Sequence, residues 1–547
     1  MATGLDDLIG TVAYEQWLGA PALSYPNRPR TVLDVLDRAV QRFGDRTFLT
    51  CAPEGDVSFI EFAELVEGAV ERLAEEGVGA GDRLAVVGHN SLDLAVALFA
   101  CARAGAVMVG MSTRMAPEQW AYLLGHSGAR LALADPDLLS GLADAADRAG
   151  LAPERARTLG DHLTGRRRPW AYTPDQRPDD AAAYAVVYTS GTTGRPKASR
   201  VVHRASVHSG LSYARVLGLG PDDVTAVVFS LTYISAMHAH LLPMLVVGGR
   251  CVLVSESGPS ELVDTIARER VSWLYVVPAL WQRLLRVRGL ASPALDHLRL
   301  GGFGGSPMPG VAIAELRRRL PKMALRDIYG LSETHSPATI LLDHEFAAKP
   351  GSVGRPLACM EARVVDERGV ELAPGAAGEL WLRGSLVTTG YESDPEATAA
   401  AIDDGWFRTG DIARIDTDGY VFILDRVKDM IDRGGHKVFS AEVERVLRDH
   451  HHIEDAAVVG VPDALAGEAV AAFVTVCADA VAEATDLRRW VRDHLADYAA
   501  PRWVHVVDEL PRNATGKVVK AELRQRAAEL AGRGPGNEGA GPERSAG

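Results

Sequence analysis

Lysine, basic clusters and long apolar runs are all scarce in this chain. The 547 residues carry 58 basic and 72 acidic side chains, a formal net charge of −14, and the longest basic run is residues 166–168. A nucleic-acid partner is not expected, because binding a phosphate backbone needs a concentrated positive surface. The longest apolar run, residues 94–102, is too short to span a bilayer. The sequence therefore predicts no membrane insertion.

Cysteine is also sparse, and its spacing excludes several kinds of site. The five cysteines are far apart and form neither a CxxC pair nor a metal-ligand spacing. Asp6 and Asp7 stand where a secretory signal peptide would carry basic residues. These features predict a reduced, cytoplasmic setting without export.

The few lysines that are present are informative. Only seven of the 58 basic residues are lysines. A compact ammonium on a flexible stem cannot be exchanged for a planar guanidinium at a phosphate or a reacting oxygen. We therefore expect the lysines to mark special chemistry. Lys197, Lys428 and Lys517 lie in motifs described below, and Lys437 and Lys520 follow two of these motifs closely.

Length and periodicity predict an α/β protein with more than one domain. A chain of 547 residues exceeds what one hydrophobic core supports. Amphipathic helical stretches alternate with short apolar runs in residues 31–135 and again after residue 183, which indicates parallel sheets flanked by helices. Residues 357–383 change to short strands with glycine-rich turns, and residues 456–526 form a second mixed pattern. We expect a large N-terminal domain with a β-rich subdomain and a small α+β C-terminal domain.

A loop rich in glycine and hydroxyl groups follows the apolar run at residues 183–188. Residues 188–197 read Tyr-Thr-Ser-Gly-Thr-Thr-Gly-Arg-Pro-Lys. Glycines let backbone N–H groups approach phosphate oxygens, the hydroxyls donate hydrogen bonds, and Lys197 adds a point charge. The loop is not a Walker motif, because GxxxxGK[ST] is absent. On spacing alone it could bind polyphosphate or be a polar surface turn.

The ten residues as a string resemble the signature of the adenylate-forming superfamily, which includes acyl-CoA synthetases, peptide-synthetase adenylation domains and luciferase-like enzymes. The resemblance continues in order from about residue 30 to about residue 528. Its further motifs are residues 329–334, 351–356, 378–384, 405–411, 425–429 and 511–517.

This resemblance implies an AMP-forming acyl-CoA synthetase. A carboxylic acid would react with ATP, with Mg²⁺ as cofactor, to give acyl-AMP and pyrophosphate, and coenzyme A would then displace AMP. It also implies a division into residues 1–427, which carry the ATP and acyl sites, and residues 428–530, which rotate about a hinge at Lys428. Residues 531–547 are predicted to be a disordered tail.

The resemblance assigns roles to individual residues. The catalytic group would comprise Lys517, Lys197, Glu333 and Thr334, with Lys517 bridging carboxylate and phosphate oxygens and Glu333 holding Mg²⁺. Asp411 would accept the ribose hydroxyls, and Tyr329 would cover adenine. The nucleotide-binding set as a whole is Thr189, Ser190, Gly191, Thr192, Thr193, Gly194, Lys197, Gly304, Gly305, Ser306, Asp327, Ile328, Tyr329, Gly330, Ser332, Asp411, Ile423, Arg426 and Lys517.

The acyl and thiol sites are less well defined. Tyr233 stands where many CoA ligases have a histidine near the bound carboxylate, so the acyl site departs from the usual pattern. Gly434 and Gly435 match a loop expected to line the passage for the pantetheine arm. The acyl pocket is predicted to be lined by Tyr233, Ser235, Met237, Phe303 and His335, which favours a hydrophobic acid.

Three functions compete at this point. The first is an acyl-CoA synthetase, the second an adenylating enzyme that loads a carrier-protein thiol, and the third a non-catalytic homologue used for binding. Intact Lys197, Glu333, Asp411 and Lys517 argue against the third. The sequence does not choose between a monomer and a homodimer.

Overall fold

The structure is a computed structural model that describes residues 5–52, 54–160, 163–189, 196–255, 257–463, 466–477, 480–512 and 517–531. These residues form five sheets. The predicted α/β class is confirmed. No helix within these ranges is both long enough and apolar enough to cross a membrane.

One sheet has six strands, and five of them run parallel. Helices Phe59–Glu75 and Leu92–Ala104 pack on one face, and helices Pro117–Ser127 and Leu139–Arg148 pack on the other. The edge strand that begins at Lys197 is antiparallel to its neighbour. In spatial order the strands are Lys197–Val202, Ala183–Thr189, Val107–Met111, Arg83–Val87, Leu131–Ala134 and Ala156–Thr158.

A second sheet has nine strands with a parallel centre. In spatial order they are Arg355–Pro356, Thr339–Leu342, Ala324–Tyr329, Leu300–Gly304, Trp273–Tyr275, Val224–Val227, Arg250–Leu253, Thr47–Cys51 and Gly55–Ser58. One face is covered by helices Pro259–Glu269, Pro278–Leu285 and Gly310–Arg319. The other face packs on the main core with helices Val32–Phe43 and His203–Leu217 and a continuous helical segment, Ile234–Ala236, Met237–Leu241 and Leu242–Val247.

Local sequence explains where several of these helices begin and end. Thr31 caps the helix Val32–Phe43 and forms a capping box with Asp34, and Ser58 does the same with Glu61 for the next helix. Left-handed glycines end other helices, as Gly105 does with φ of 70°. These capping residues set where the helices begin and end. The apolar stripes along the helices then determine how they pack.

The carboxyl ends of four neighbouring parallel strands meet at one edge of the nine-stranded sheet. They are the strands that end at Val227, Tyr275, Gly304 and Tyr329. In open α/β sheets, ligands bind in the crevice outside such carboxyl ends. This edge therefore positions the candidate site.

A β-rich unit follows in the chain, together with a hairpin from the N-terminus. Its strands are Met360–Val365, Gly378–Gly384, Ile402–Asp403, Trp406–Ile415 and Val421–Arg426, with the helix Pro395–Ala401. The N-terminal helix Leu5–Ile9 precedes the hairpin Ala13–Trp17 and Ala20–Ser24.

The last part of the chain has a sheet and apolar clusters of its own. Those clusters contain buried residues between Ile431 and Ala527. The strands are Ile431–Arg433, His436–Val438, Ile453–Asp463, Gly467–Val476 and Trp503–Val506, and the helices are Ser440–Arg448, Ala484–His494 and Lys520–Ala531.

Candidate active site

Two opposed strands and the end of a third hold a carboxylate in a fixed position. Asp411 and Arg426 face each other on antiparallel strands, and Arg426 Nε donates to Asp411 Oδ1 at 2.7 Å. Tyr329, at the end of its strand, donates its hydroxyl to Asp411 Oδ2 at 2.6 Å. Asp411 is only 4% exposed. The three residues predicted for ribose and adenine therefore form one hydrogen-bonded group.

Glycine is required where the neighbouring strand ends. A Cβ on Gly304 would lie 2.2 Å from the carbonyl oxygen of Ile328. Gly305 has φ of +80°, a conformation that side chains with a Cβ rarely adopt. Gly305 and Ser306 are exposed, and Gly330 and Ile328 belong to the adjoining strand and turn. The backbone is thus open beside Tyr329, as a nucleotide site needs.

Asp327 is an acidic member of the predicted nucleotide-binding set. It is half-buried beside Phe303 in the parallel pair of strands. Burial raises the pKa of Asp327 to about 8, and the backbone N–H of Ile328 opposes this shift. The carboxyl group of Asp327 is therefore largely protonated near neutral pH.

This shift gives a stability prediction with a definite sign. The folded protein holds a proton on Asp327 between pH 4 and pH 8, where the unfolded chain has released it, so the free energy of unfolding falls as pH rises through that window. Asp327→Asn cannot ionise, and we expect it to gain stability over wild type by up to about 1 kcal/mol per pH unit. Melting of both proteins without ATP at pH 5 to 9 measures the difference. A difference that does not change with pH would contradict the assignment.

Glu333 and Lys197 are joined by a residue that was not predicted. The buried Glu333 accepts a hydrogen bond on Oε1 from the Tyr391 hydroxyl at 2.9 Å. Lys197 Nζ lies 5.1 Å from the centre of the Tyr391 ring. Tyr391 follows the strand Gly378–Gly384 closely, but nothing local in the sequence pairs it with Glu333, because that contact spans 58 positions. The contact exists only in the tertiary structure.

The phosphate loop is described only at its two ends. Thr189 and Lys197 pair across the antiparallel strands on either side of it. The five predicted residues between them lie outside the described residues: Ser190, Gly191, Thr192, Thr193 and Gly194. The structure thus places the strands that present this loop.

Lys517 belongs to the C-terminal part of the chain, yet its charged neighbours belong to the large domain. Loss of hydration among surrounding atoms lowers the pKa of Lys517, and Arg426 lowers it further. Asp411 and Glu333 oppose that shift, so both carboxylates are close enough to act on the ammonium. Lys517 keeps exposed surface. The charges of the predicted metal-binding carboxylate and ribose-binding carboxylate therefore act on the predicted catalytic lysine.

Other predicted residues near Glu333 have structural partners. The Thr334 hydroxyl donates to the Leu331 carbonyl at 3.2 Å and accepts from the Leu331 N–H at 3.0 Å, and Thr334 is fully buried. Ser332 precedes Glu333 in the same short helix and is half-buried, as is Ile423 on the strand that carries Arg426. The Thr334 hydroxyl thus stabilises the turn that carries Glu333.

Tyr233 has a buried hydroxyl that no described residue engages in a hydrogen bond of normal geometry. Tyr233 precedes the helix Ile234–Ala236. Burial raises the pKa of Tyr233, whereas Ser112 and Arg114 nearby oppose the shift. An unpaired buried hydroxyl is unfavourable in the free protein, so it suits a site completed by a ligand.

The structure does not bring Phe303 and His335 to an accessible pocket. Side chains alternate along a strand, and Phe303 shares the face of Gly301, toward Trp281 in the helix-covered core. His335 is fully buried and uses both ring nitrogens, accepting from the Val202 N–H and donating to the Leu386 carbonyl. Neither side chain has exposed surface, so neither lines a space that an acid could enter in this structure.

Two aromatic residues at the same sheet edge were not predicted. Tyr275 ends the strand next to Gly304, and its hydroxyl lies 2.7 Å from where a Gly304 Cβ would be. Phe229 packs against Tyr275 with ring centres 5.3 Å apart. Of the remaining predicted residues, Ser235 is half-buried and Met237 is buried in the main core. Phe229 and Tyr275 could have been predicted from their position at the carboxyl ends of parallel strands.

The predicted thiol-passage glycines form a hairpin turn. Arg433 pairs with His436, so Gly434 and Gly435 are the two residues of the turn, with φ of 63° and 85°. Two positive φ values are typical of a type I′ turn, which favours Gly-Gly. Both glycines are exposed. A structural reason for these glycines thus exists beside the predicted functional one.

Several polar contacts lie on either side of Lys428. Lys428 is exposed in the turn after the strand Val421–Arg426, and its carbonyl accepts from Arg524 at 3.1 Å. Asp425 accepts from the Ser440 hydroxyl at 2.9 Å and from its N–H. Burial raises the pKa of Asp425 to about 6. Farther away, Arg286 donates to Glu454 at 2.6 Å.

Comparison with known proteins agrees with this geometry. Residues 36–392 match the family described as AMP-binding enzyme, and residues 442–517 match the AMP-binding enzyme C-terminal domain. Feruloyl-CoA synthase from an Amycolatopsis species is 32% identical over 482 residues, which cover 86% of this chain and 94% of that protein. Indoleacetate–CoA ligase from Aromatoleum aromaticum is 32% identical over 480 residues, with the same coverage of both chains.

A solved structure shows the same fold. ATP-bound MatB from Rhodopseudomonas palustris superposes with a TM-score of 0.82 at 28% identity, over 91% of this chain and 99% of that one. The family profile covers more than half of the chain, and the relatives match along nearly their whole length. The chain therefore belongs to the AMP-binding enzyme family, as its motifs predicted.

Proposed function

We propose that this protein is an ATP-dependent acyl-CoA synthetase of the AMP-forming type. The observation that carries the proposal is the hydrogen-bonded group of Tyr329, Asp411 and Arg426 at the carboxyl ends of the parallel strands, whose charges act on Lys517. Relatives that match over most of the chain are named as a CoA synthase and CoA ligases. A binding protein without activity would not need this charged group.

In the first half-reaction, a carboxylate oxygen of the acid attacks the α-phosphorus of ATP. The new C–O–P linkage forms as the bond to the β-phosphate oxygen breaks, and pyrophosphate leaves. Two anions must approach each other, so neutralising charge and fixing orientation supply most of the catalysis. Lys517 and Lys197 are the cations suited to this task, while Asp411 anchors the ribose hydroxyls and Tyr329 supports adenine.

The residues present suit Mg²⁺. Glu333 has one oxygen engaged by Tyr391, and within the described part of the chain no group donates to its Oε2. A carboxylate oxygen is a ligand that this hard ion prefers. Glu333 would hold Mg²⁺, which when bound supplies charge neutralisation for the ATP phosphates.

In the second half-reaction, the thiol sulfur of coenzyme A attacks the acyl carbon. The carbon–sulfur bond forms, the carbon–oxygen bond to AMP breaks, and the thiol proton leaves to solvent. We propose that residues 428–530 rotate about Lys428 between the two steps, which would remove Lys517 and bring Gly434 and Gly435 to the thiol passage. The contacts of Asp425 and Arg286 would then be exchanged for others.

The acceptor is tested by giving the enzyme a choice. Purified protein with MgATP and acid is supplied with free coenzyme A or with a pantetheinylated carrier protein, and thioester formation is followed in both. We expect acyl-CoA to form faster. Faster loading of the carrier would support the second candidate function, and no acid-dependent pyrophosphate release with any acid of a broad panel would refute the enzyme assignment.

A hydrophobic acid is the proposed substrate class. Phe229 and Tyr275 line the sheet edge next to the nucleotide residues, and Tyr233 precedes the helical segment packed on the same face. Aromatic walls stabilise apolar and aromatic ligands by burying their surface.

All five cysteines are free thiols. We also propose a cytoplasmic location on that basis.

Tyr233 provides a test of the acyl site. We expect Tyr233→Phe to leave the free protein as stable as wild type, because the hydroxyl it removes forms no hydrogen bond of normal geometry to a described residue. The kcat/KM for the preferred acid should fall by a factor that corresponds to about 0.5 to 1.5 kcal/mol of lost transition-state stabilisation, if the hydroxyl forms a hydrogen bond to the bound acid. Tyr233→Ala should remove about 1 to 3 kcal/mol of transition-state stabilisation for the preferred acid, and it should admit bulkier acids. The measurement is kcat/KM over a homologous acid series beside the KM for ATP.

An unchanged acid profile, or an effect mainly on ATP, would place Tyr233 outside the acyl site. Phe303→Leu is the matched control, because Phe303 was also predicted for this pocket but faces the opposite core. It should lower the melting temperature without altering the order of preference among acids.

A further inference from the structure

One segment of the β-rich part ties the strand after the phosphate loop to the turn that carries Glu333. Gly390 accepts on its carbonyl from the Arg200 N–H at 3.0 Å, and the Glu392 N–H donates to Ala198 at 2.8 Å. On the other side, the Thr388 N–H donates to the Glu333 carbonyl at 2.8 Å. The backbone around position 391 is therefore fixed to both neighbours.

Tyr391 lies in the middle of this segment with two polar contacts. Its hydroxyl donates to Glu333 Oε1 at 2.9 Å, and its ring centre lies 5.1 Å from Lys197 Nζ. Its own N–H donates to Thr398 Oγ1 at 2.9 Å, and the side chain is 7% exposed. A single rigid ring thus contacts both the cation beside the phosphate loop and the carboxylate suited to the metal.

We propose that Tyr391 is a positioning residue that holds the Glu333 carboxylate and the Lys197 ammonium in fixed relation for binding of the metal–nucleotide complex. This inference rests on the proposed function, since it concerns the same site. A hydrogen bond to one carboxylate oxygen stops rotation of the group and leaves the other oxygen directed at its ligand. The face of the ring restrains the flexible lysine by attraction to its charge.

The chain contains a matched arrangement outside the site. The Tyr420 hydroxyl donates to Glu345 at 2.6 Å, and Lys349 Nζ lies 4.8 Å from the Tyr420 ring centre. Tyr420 is buried in a small apolar cluster, as Tyr391 is buried in its own surroundings. Tyr420→Phe therefore removes the same kind of hydroxyl–carboxylate bond without touching the nucleotide residues.

The test compares Tyr391→Phe with Tyr420→Phe in the full-length protein. ATP binding is measured calorimetrically without acid, once with Mg²⁺ and once with EDTA, so that no turnover occurs. We expect Tyr391→Phe to weaken MgATP binding by about tenfold, the lower end of what loss of a residue orienting a metal ligand costs. Binding of metal-free ATP should change by less than about threefold, because the ring still supports Lys197. Tyr420→Phe should match wild type in both.

A second variant and a double-mutant cycle separate the two contacts. Tyr391→Leu also removes the ring, and we expect it to weaken metal-free ATP binding by about fivefold. In a Glu333→Gln background, Tyr391→Phe should have little further effect on MgATP binding, because its partner is already altered. Additive losses in this cycle, or equal losses with and without Mg²⁺ for Tyr391→Phe, would overturn the proposal. So would a MgATP defect of the same size in Tyr420→Phe.

These measurements are independent of the acceptor and the acid. If wild type binds MgATP but forms no acyl-CoA with any acid, the proposed function fails while the binding comparison still decides the role of Tyr391. If wild type forms acyl-CoA and Tyr391→Phe binds MgATP normally, the proposal for Tyr391 fails and the function stands.

Discussion

Lys517→Ala should slow acyl-AMP formation by about 10²-fold or more, because it removes a preorganised charge from the point at which two anions meet. A selective effect is expected because the charges of Arg426, Asp411 and Glu333 all act on this lysine. Attack of coenzyme A on acyl-AMP supplied ready-made should stay within about threefold of wild type, because in the proposed cycle Lys517 has been rotated away before that step. Pyrophosphate release measures the first step, and acyl-CoA formation measures the second.

Lys322→Ala is the control for this experiment. Lys322 is an exposed lysine whose ammonium pairs with Asp296 at 2.6 Å on the surface. Its loss should leave both rates unchanged, because an exposed pair contributes little. Equal losses of both half-reactions in Lys517→Ala would show that Lys517 does not act selectively in adenylation.

Joining the two domains covalently should spare acyl-AMP formation and block thioester formation, which is the opposite of the effect expected for Lys517→Ala. Arg286 and Glu454 form an exposed ion pair between the large domain and the C-terminal part of the chain. We expect Arg286→Cys/Glu454→Cys, linked with a short bismaleimide, to keep acyl-AMP formation within about threefold and to lose thioester formation by about 10²-fold or more. The linker holds the C-terminal part in its present orientation, so rotation is prevented.

The controls use the same reagent. Four native cysteines are buried and Cys477 is partly exposed, so the pair is introduced in a Cys477→Ser background. Each single-cysteine variant treated with the reagent should retain both half-reactions. A linked enzyme that forms acyl-CoA at the rate of the unlinked one would rule out a required rotation.

The amino-acid sequence alone was sufficient for the family and the fold class. The motifs from Tyr188 to Lys517 appear in a characteristic order. Each motif is short, and its residue types reflect what the backbone needs at that position. Gly304 must lack a Cβ because the Ile328 carbonyl is so close, and the Gly434–Gly435 turn needs two positive φ values. Helix caps such as Thr31 and alternating apolar stripes are equally local, so the α/β layers could be predicted.

Only the tertiary structure decided which side chains meet. Phe303 and His335 looked like pocket residues, but strand alternation directs Phe303 into the opposite core and two backbone groups occupy the His335 ring. Tyr391 was not predicted, since its contact with Glu333 depends on the packing of two distant segments. Such contacts depend on how sheets and helices pack against one another in the folded chain. The types and spacing of residues within a short motif do not determine that packing.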